Sequence, residues 1–376
     1  MDATERHTRA LAVELREKLA AERRQAAAAG RTGGDIASAI EELVEREAAV
    51  LGSERRSELA DLILRDTVGL GPLEDLLADP AVEEVMVNGP NRVYVERAGR
   101  IESAAVAFEG DQHVRETIER ILAPTGRRVD ELAPMTDARL ADGSRVNVVV
   151  PPLAVDGPAI SIRRFGAERP GPAELVASGS VAPKAAEILE GAVRARRTVL
   201  VTGGTGSGKT TLLNALSAWI DPAQRVITIE DAAELRLRQP HVVRLESRPA
   251  SVEGRGEVTI RDLLRNALRM RPDRIVIGEV RGAEALDLLT ALNTGHDGAL
   301  STLHANSPED ALRRLETLAL MAGVGLPHEA VRDQVVRGID VVAHLRREPD
   351  GARRLVAIAE VVPAAGAVAT RELWAA

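Results

Sequence analysis

The segment Val199-Leu200-Val201-Thr202-Gly203-Gly204-Thr205-Gly206-Ser207-Gly208-Lys209-Thr210-Thr211-Leu212-Leu213 restricts the fold of this chain more than any other. An apolar strand runs into a G-x-x-x-x-G-K-[ST] loop and then into a helix, which is the context of a phosphate-binding loop. Glycines let successive backbone N–H groups turn toward one centre, and the helix that follows adds its positive N-terminal end beneath a β-phosphate. The cradle so defined comprises Gly203, Gly204, Thr205, Gly206, Ser207, Gly208, Lys209, Thr210 and Thr211. Lys209 would reach the β- and γ-phosphates of ATP or GTP, and Thr210 would ligate Mg²⁺. The glycines end in Lys-Thr rather than in G-x-x-G, which sets aside a dinucleotide fold.

A chain of 376 residues suggests two domains plus an appendage. Aromatic residues make up only 1%, so the cores must be built from Ala, Val, Leu and Ile. Stacking platforms for single-stranded nucleic acid are then scarce, and a net charge of −8 disfavours general polyanion binding. Sequence-specific nucleic-acid recognition is therefore not expected. The absence of cysteine excludes disulfides and thiolate metal sites. With a charged N-terminus and no run of 18 apolar residues, neither a signal peptide nor a membrane span is expected, and a cytoplasmic location follows.

Residues 1–50 read as a helical appendage, with Ile36, Ile40, Leu43 and Val44 at helical spacing and a break over residues 26–34. Residues 51–165 read as an α+β domain of hairpins, marked by Asn88-Gly89-Pro90-Asn91 and Ala141-Asp142-Gly143-Ser144 between apolar strands. Residues 166–182, with Pro170, Gly171, Pro172 and Gly179, read as a linker. From 183 to 376 helices and strands alternate, which implies an α/β domain with a parallel sheet and crossover helices.

In such a sheet the catalytic groups belong at the carboxyl ends of strands beside the phosphate loop. Two strands there end in acid, Ile229-Glu230-Asp231 and Gly278-Glu279. Glu230, Asp231 and Glu279, with Thr210, are the candidate Mg²⁺ ligands, and Glu230 or Glu279 would also orient the attacking water. Gly278 stands where an Asp is usual, so the division of roles stays open. His304, just after a short strand, is a candidate γ-phosphate sensor or a structural hydrogen bonder. Arg261, Arg265 and Arg269 form a basic stripe on one helix, solvated or contacting another subunit. Arg163 and Arg164 close the first domain, where they would serve as arginine fingers or pair with surface acids.

Taken together, these residues resemble the secretion and pilus ATPase superfamily of type II and type IV secretion motors, most closely the CpaF-like ATPases of Tad (Flp) pilus assembly. The resemblance runs from about Gly69 to Val362 and includes Asp137-Ala138-Arg139-Leu140, Ile160-Ser161-Ile162-Arg163-Arg164-Phe165, Ile229-Glu230-Asp231-Ala232-Ala233-Glu234-Leu235, Gly278-Glu279-Val280-Arg281-Gly282 and the stretch from Gly295 to Asn306. It implies a RecA-like phosphate-loop ATPase domain behind the α+β domain, and a homo-hexameric ring. It also implies that Glu230, Glu279 and His304 occupy the acid-box, second-acid and His-box positions, with Arg163 and Arg164 approaching nucleotide from the N-terminal domain. A motor that binds ATP and Mg²⁺ is expected, acting at the inner membrane through platform proteins and moving pilin subunits indirectly. The alternatives are a conjugation-type ATPase that moves protein or nucleic acid and a nucleotide-gated scaffold without turnover. A small-molecule kinase lacks a visible acceptor motif.

Overall fold

The computed structural model describes residues 3–28, 35–97, 99–165, 170–250, 255–364 and 367–376. They divide into two compact units, Met1–Ala167 and Glu168–Ala376.

The first unit opens with three helices, α1 (Ala3–Ala28), α2 (Ile36–Glu47) and α3 (Ser53–Thr67). Leu15, Leu19, Ile40, Leu43, Val44, Leu59 and Ile63 lock them into one apolar cluster, so α3 packs with α1 and α2. Of the break expected over 26–34, residues 26–28 close α1, and 29–34 lie outside the described residues. A short helix, α4 (Glu74–Ala78), leads into strands β1 (Val82–Asn88), β2 (Val93–Arg97) and β3 (Arg100–Ser103). Helix α5 (Asp111–Leu122) and strands β4 (Met135–Arg139), β5 (Arg145–Val149) and β6 (Ala159–Arg163) follow. The six strands form one sheet in the order β3-β2-β1-β6-β5-β4, antiparallel throughout. Alternation puts Val85, Val87, Val93, Val95, Val146, Val148, Ile160 and Ile162 on the face covered by Val114, Ile118 and Ile121 of α5.

The second unit begins with α6 (Pro172–Ala177) and α7 (Pro183–Arg194). Of the 166–182 stretch expected as linker, 166–169 lie outside the described residues, while Leu175 and Val181 are buried in this unit's core. Strand β7 (Val199–Gly203), α8 (Lys209–Ser217), β8 (Val226–Glu230), β9 (Val242–Glu246), α9 (Ile260–Ala267) and β10 (Arg274–Ile277) come next. They are followed by α10 (Glu284–Leu292), β11 (Leu300–His304), α11 (Pro308–Leu320), α12 (His328–Gly338), β12 (Val341–Arg347), β13 (Arg353–Ala364) and β14 (Ala367–Ala375). The sheet order is β14-β13-β12-β7-β11-β10-β8-β9. Strands β12 through β9 in that order run parallel, and β13 and β14 extend the sheet antiparallel. Apolar cores lie on both faces, which is why β7, β8 and β10 are buried at every residue. The arginine stripe on α9 is turned inward in part, because Arg261 and Arg265 both donate to Asp287 of α10, at 2.5 and 2.7 Å.

Candidate active site

Strand β7 delivers the chain to the centre of the sheet, and its last residue, Gly203, opens the phosphate loop. The loop ends at Gly208, whose φ of +92° lies in the left-handed region where a side chain would be strained. The chain can thereby enter α8 at Lys209 with its first N–H groups facing outward. Ser207 is buried and its hydroxyl donates to the Gly204 carbonyl at 2.9 Å, which fixes the loop from within. Lys209 Nζ donates to the carbonyls of Gly203 and Gly204 at 3.0 and 2.9 Å, folded back over the loop. Burial pulls the Lys209 ammonium below its ordinary pKa, and the Glu279 carboxylate opposes that shift. Behind the loop, Thr202 Oγ1 and His344 Nδ1 lie 3.0 Å apart, a buried link from β7 to β12.

Parallel pairing brings the other candidates to the same sheet edge. His304 is paired with Gly203 in the β11–β7 ladder, so its backbone stands beside the start of the loop. Ile229 of β8 is paired with Ile277 of β10, which puts Glu230 and the Gly278-Glu279 step side by side. Glu230 is only 3% exposed. Its Oε2 accepts the N–H groups of Glu234 and Leu235 at 2.8 and 2.9 Å, while Oε1 is buried without a partner. Burial raises the Glu230 carboxyl to a pKa of about 7, against the pull of those two N–H groups. A carboxyl balanced near neutrality at a strand end is suited to proton transfer or to capturing a cation.

The shift makes a stability prediction for the protein without nucleotide. Between the unfolded value of 4.5 and about 7, the folded state holds a proton that the unfolded state has released. Stability therefore falls as pH rises through that window, by about 3 kcal/mol. Glu230→Gln keeps the acceptor oxygen and removes the charge, so it should melt above wild type at pH 8 and level with it at pH 4.5. Thermal melts by circular dichroism at the two pH values would test this, and an equal offset at both would contradict it.

Gly278, the departure from the usual acid pair, has a steric cause. A Cβ at this position would lie 2.9 Å from Glu230 Cγ, a separation that real Cβ atoms do not tolerate. Gly278→Ala should displace the Glu230 carboxyl and slow ATP hydrolysis at least about tenfold, with roughly 1–3 kcal/mol of destabilisation. Wild-type turnover in the alanine variant would show that the contact is dispensable.

Glu279 accepts two hydrogen bonds from Arg281, from Nε at 2.9 Å and Nη2 at 2.6 Å. Arg281 Nη1 also reaches Asp231 Oδ2 at 3.3 Å, so one guanidinium links both acids. Arg281 was not singled out from sequence, although it stands two residues after Glu279. In the first unit, Arg163 is exposed on β6, in register with Glu84 on one side and Arg145 on the other, and Arg145 pairs with Arg139. Arg164 points elsewhere. Its Nη1 donates to the carbonyls of Asp79 and Val82, the latter at 3.1 Å, which ties it to the backbone.

The model of the type II/IV secretion system protein family matches residues 66–361, which span both units. The chain belongs to that family. Among its relatives is a putative conjugal transfer protein of Mycobacterium tuberculosis, 41% identical over 324 residues, covering 84% of this chain and 92% of the relative. The type IV secretion system protein PtlH of Bordetella pertussis is 37% identical over 318 residues, covering 76% of this chain and 92% of PtlH. The crystal structure of the pilus retraction motor PilT with bound ADP shares the fold at a TM-score of 0.55 and 22% identity, over 77% of this chain and 82% of that one. This secretion ATPase has no described helix long and apolar enough to cross a membrane.

Proposed function

We propose that this secretion ATPase is an Mg²⁺-dependent motor that works as a homo-hexamer at the cytoplasmic face of the inner membrane. In this reading it is held by platform proteins and drives assembly of pilin subunits in a Tad-type system. The observation that carries the reading is the convergence of Lys209, Glu230, Glu279 and His304 on one sheet edge around a phosphate loop. In turnover, Lys209 exchanges the carbonyls of Gly203 and Gly204 for the β- and γ-phosphates. Glu279 orients the attacking water, the Glu230 carboxylate faces the metal side, and His304 bonds the γ-phosphate.

Among the described residues no three His, Cys, Asp or Glu side chains form a metal cage. That suits Mg²⁺, which keeps several waters and takes most other ligands from substrate phosphates. Thr210, Glu230, Asp231 and Glu279 are the residues that would hold it, and the buried, unpartnered Glu230 Oε1 is an oxygen in need of such a neighbour. Bound there, the ion would offset the negative charge that develops on the phosphates.

Of the arginine pair, Arg163 is the one we propose for the catalytic role that the resemblance implies, whereas Arg164 is tied to the carbonyls of Asp79 and Val82. Arg163→Ala should therefore cut turnover at least about tenfold with an unchanged melting temperature. Arg164→Ala should lower stability by about 1–3 kcal/mol through the carbonyls it abandons. The opposite pattern in paired phosphate-release and melting assays would reverse the assignment.

A conjugation-type motor that moves protein or nucleic acid is the second reading, supported by the description of the mycobacterial relative. Phosphate release measured with and without DNA separates the two. Stimulation that falls steeply with salt favours conjugation, and indifference to DNA favours the pilus motor.

A further inference from the structure

The hairpin formed by β12 and β13 carries four arginines that face one another in like-charged pairs, Arg346 with Arg354 and Arg347 with Arg353. Like charges directly opposite in an antiparallel ladder cost it stability. Successive pairs lie on opposite faces of the ladder, which leaves Arg347 and Arg353 sharing one face.

That face lies against the phosphate loop. A Cβ on Gly206 would stand 3.4 Å from Arg347 Nη1, and a Cβ on Gly208 would stand 3.5 Å from Arg353 Cδ. The aliphatic stem of Arg353 thus packs beside the last glycine before Lys209.

A cavity of about 360 Å³ opens at the same place, and its lining includes Arg353, Leu345, Thr211, Leu212, Leu175 and Val181. Ser207 and Gly208 form part of its wall, so it continues directly from the phosphate cradle at the first turn of α8. Its volume falls within the range of small-ligand pockets, and its walls are largely aliphatic. Among the described residues no aromatic side chain lines it. The planar guanidinium of Arg353 on its wall is a group able to stack on the face of a purine.

We propose that Arg353 is a nucleotide-contacting residue whose guanidinium covers the base and ribose of the bound nucleotide in this cavity, with Arg347 setting positive charge against the phosphate loop beside it. The proposal rests on the reading of residues 199–213 as a phosphate loop that binds ATP.

The test compares ADP with inorganic tripolyphosphate, which carries phosphates but no base or ribose, in binding titrations on the full chain. Arg353→Met keeps the stem against Gly208 and removes the guanidinium. It should weaken ADP at least about tenfold and leave tripolyphosphate within about twofold of wild type. Arg353→Lys should recover part of the ADP affinity, Arg346→Ala on the opposite face should bind both ligands normally, and Lys209→Ala should lose both. Melting temperatures confirm that each variant is folded. If Arg353→Met binds ADP like wild type while Lys209→Ala does not, the proposal falls and the phosphate-loop reading stands. Equal loss of ADP and tripolyphosphate in Arg353→Met would place the guanidinium on phosphate and overturn the base assignment. Failure of the wild-type chain to bind either ligand would remove the phosphate-loop reading, and this proposal with it.

Discussion

Lys209→Ala should abolish ATP turnover, by at least about a thousandfold, and leave the fold intact. Phosphoryl transfer is mostly charge stabilisation, and Lys209 is the mobile cation built into the phosphate loop. Among the described residues its Nζ donates to the carbonyls of Gly203 and Gly204, within the loop itself. Burial already disfavours the ammonium, so its removal relieves a cost and the melting temperature should barely move. Circular dichroism confirms the fold and phosphate release reads the activity. Turnover within about threefold of wild type would remove Lys209 from the site.

Glu279→Gln should bind ATP with near-normal affinity and hydrolyse it at least about a hundredfold more slowly. An amide keeps the shape and the hydrogen bonds from Arg281 but cannot polarise a water molecule. Glu230→Gln should instead change the Mg²⁺ dependence more than the rate at saturating metal. The two carboxyls differ in the way such a division of labour requires: one is 3% exposed with a pKa raised to about 7, the other is clamped by a guanidinium. If the Mg²⁺ dependence shifts in Glu279→Gln and the rate collapses in Glu230→Gln, the roles are exchanged while the site remains.

The phosphate loop and the strand-end acids were legible in the sequence because their chemistry is local. Glycines, an apolar run before them and Lys-Thr after them specify one geometry without help from distant residues. The strands that went unread, β9 and β14, are the two edges of the larger sheet. Val242-Val243-Arg244-Leu245-Glu246 is only partly buried, and Ala367–Ala375 mixes Arg371 and Glu372 with apolar residues, so neither shows the continuous β-branched pattern of β8 or β10. Side-chain partnerships were the least visible feature. The α9 arginines meet an aspartate more than twenty residues away, and Arg353 reaches a loop about 145 residues earlier in the chain. Spacing within a segment carries no information about such contacts. Arg281 could have been found, since a cation two residues after a strand-end acid is close enough to pair with it.

The contact between Gly278 and Glu230 makes two distant positions one heritable unit. A substitution that restores the common acid pair at 278–279 puts a Cβ 2.9 Å from Glu230 Cγ, so the Glu230 side chain must move to admit it. Engineering that places any side chain at 278 must therefore reckon with where the Glu230 carboxyl goes.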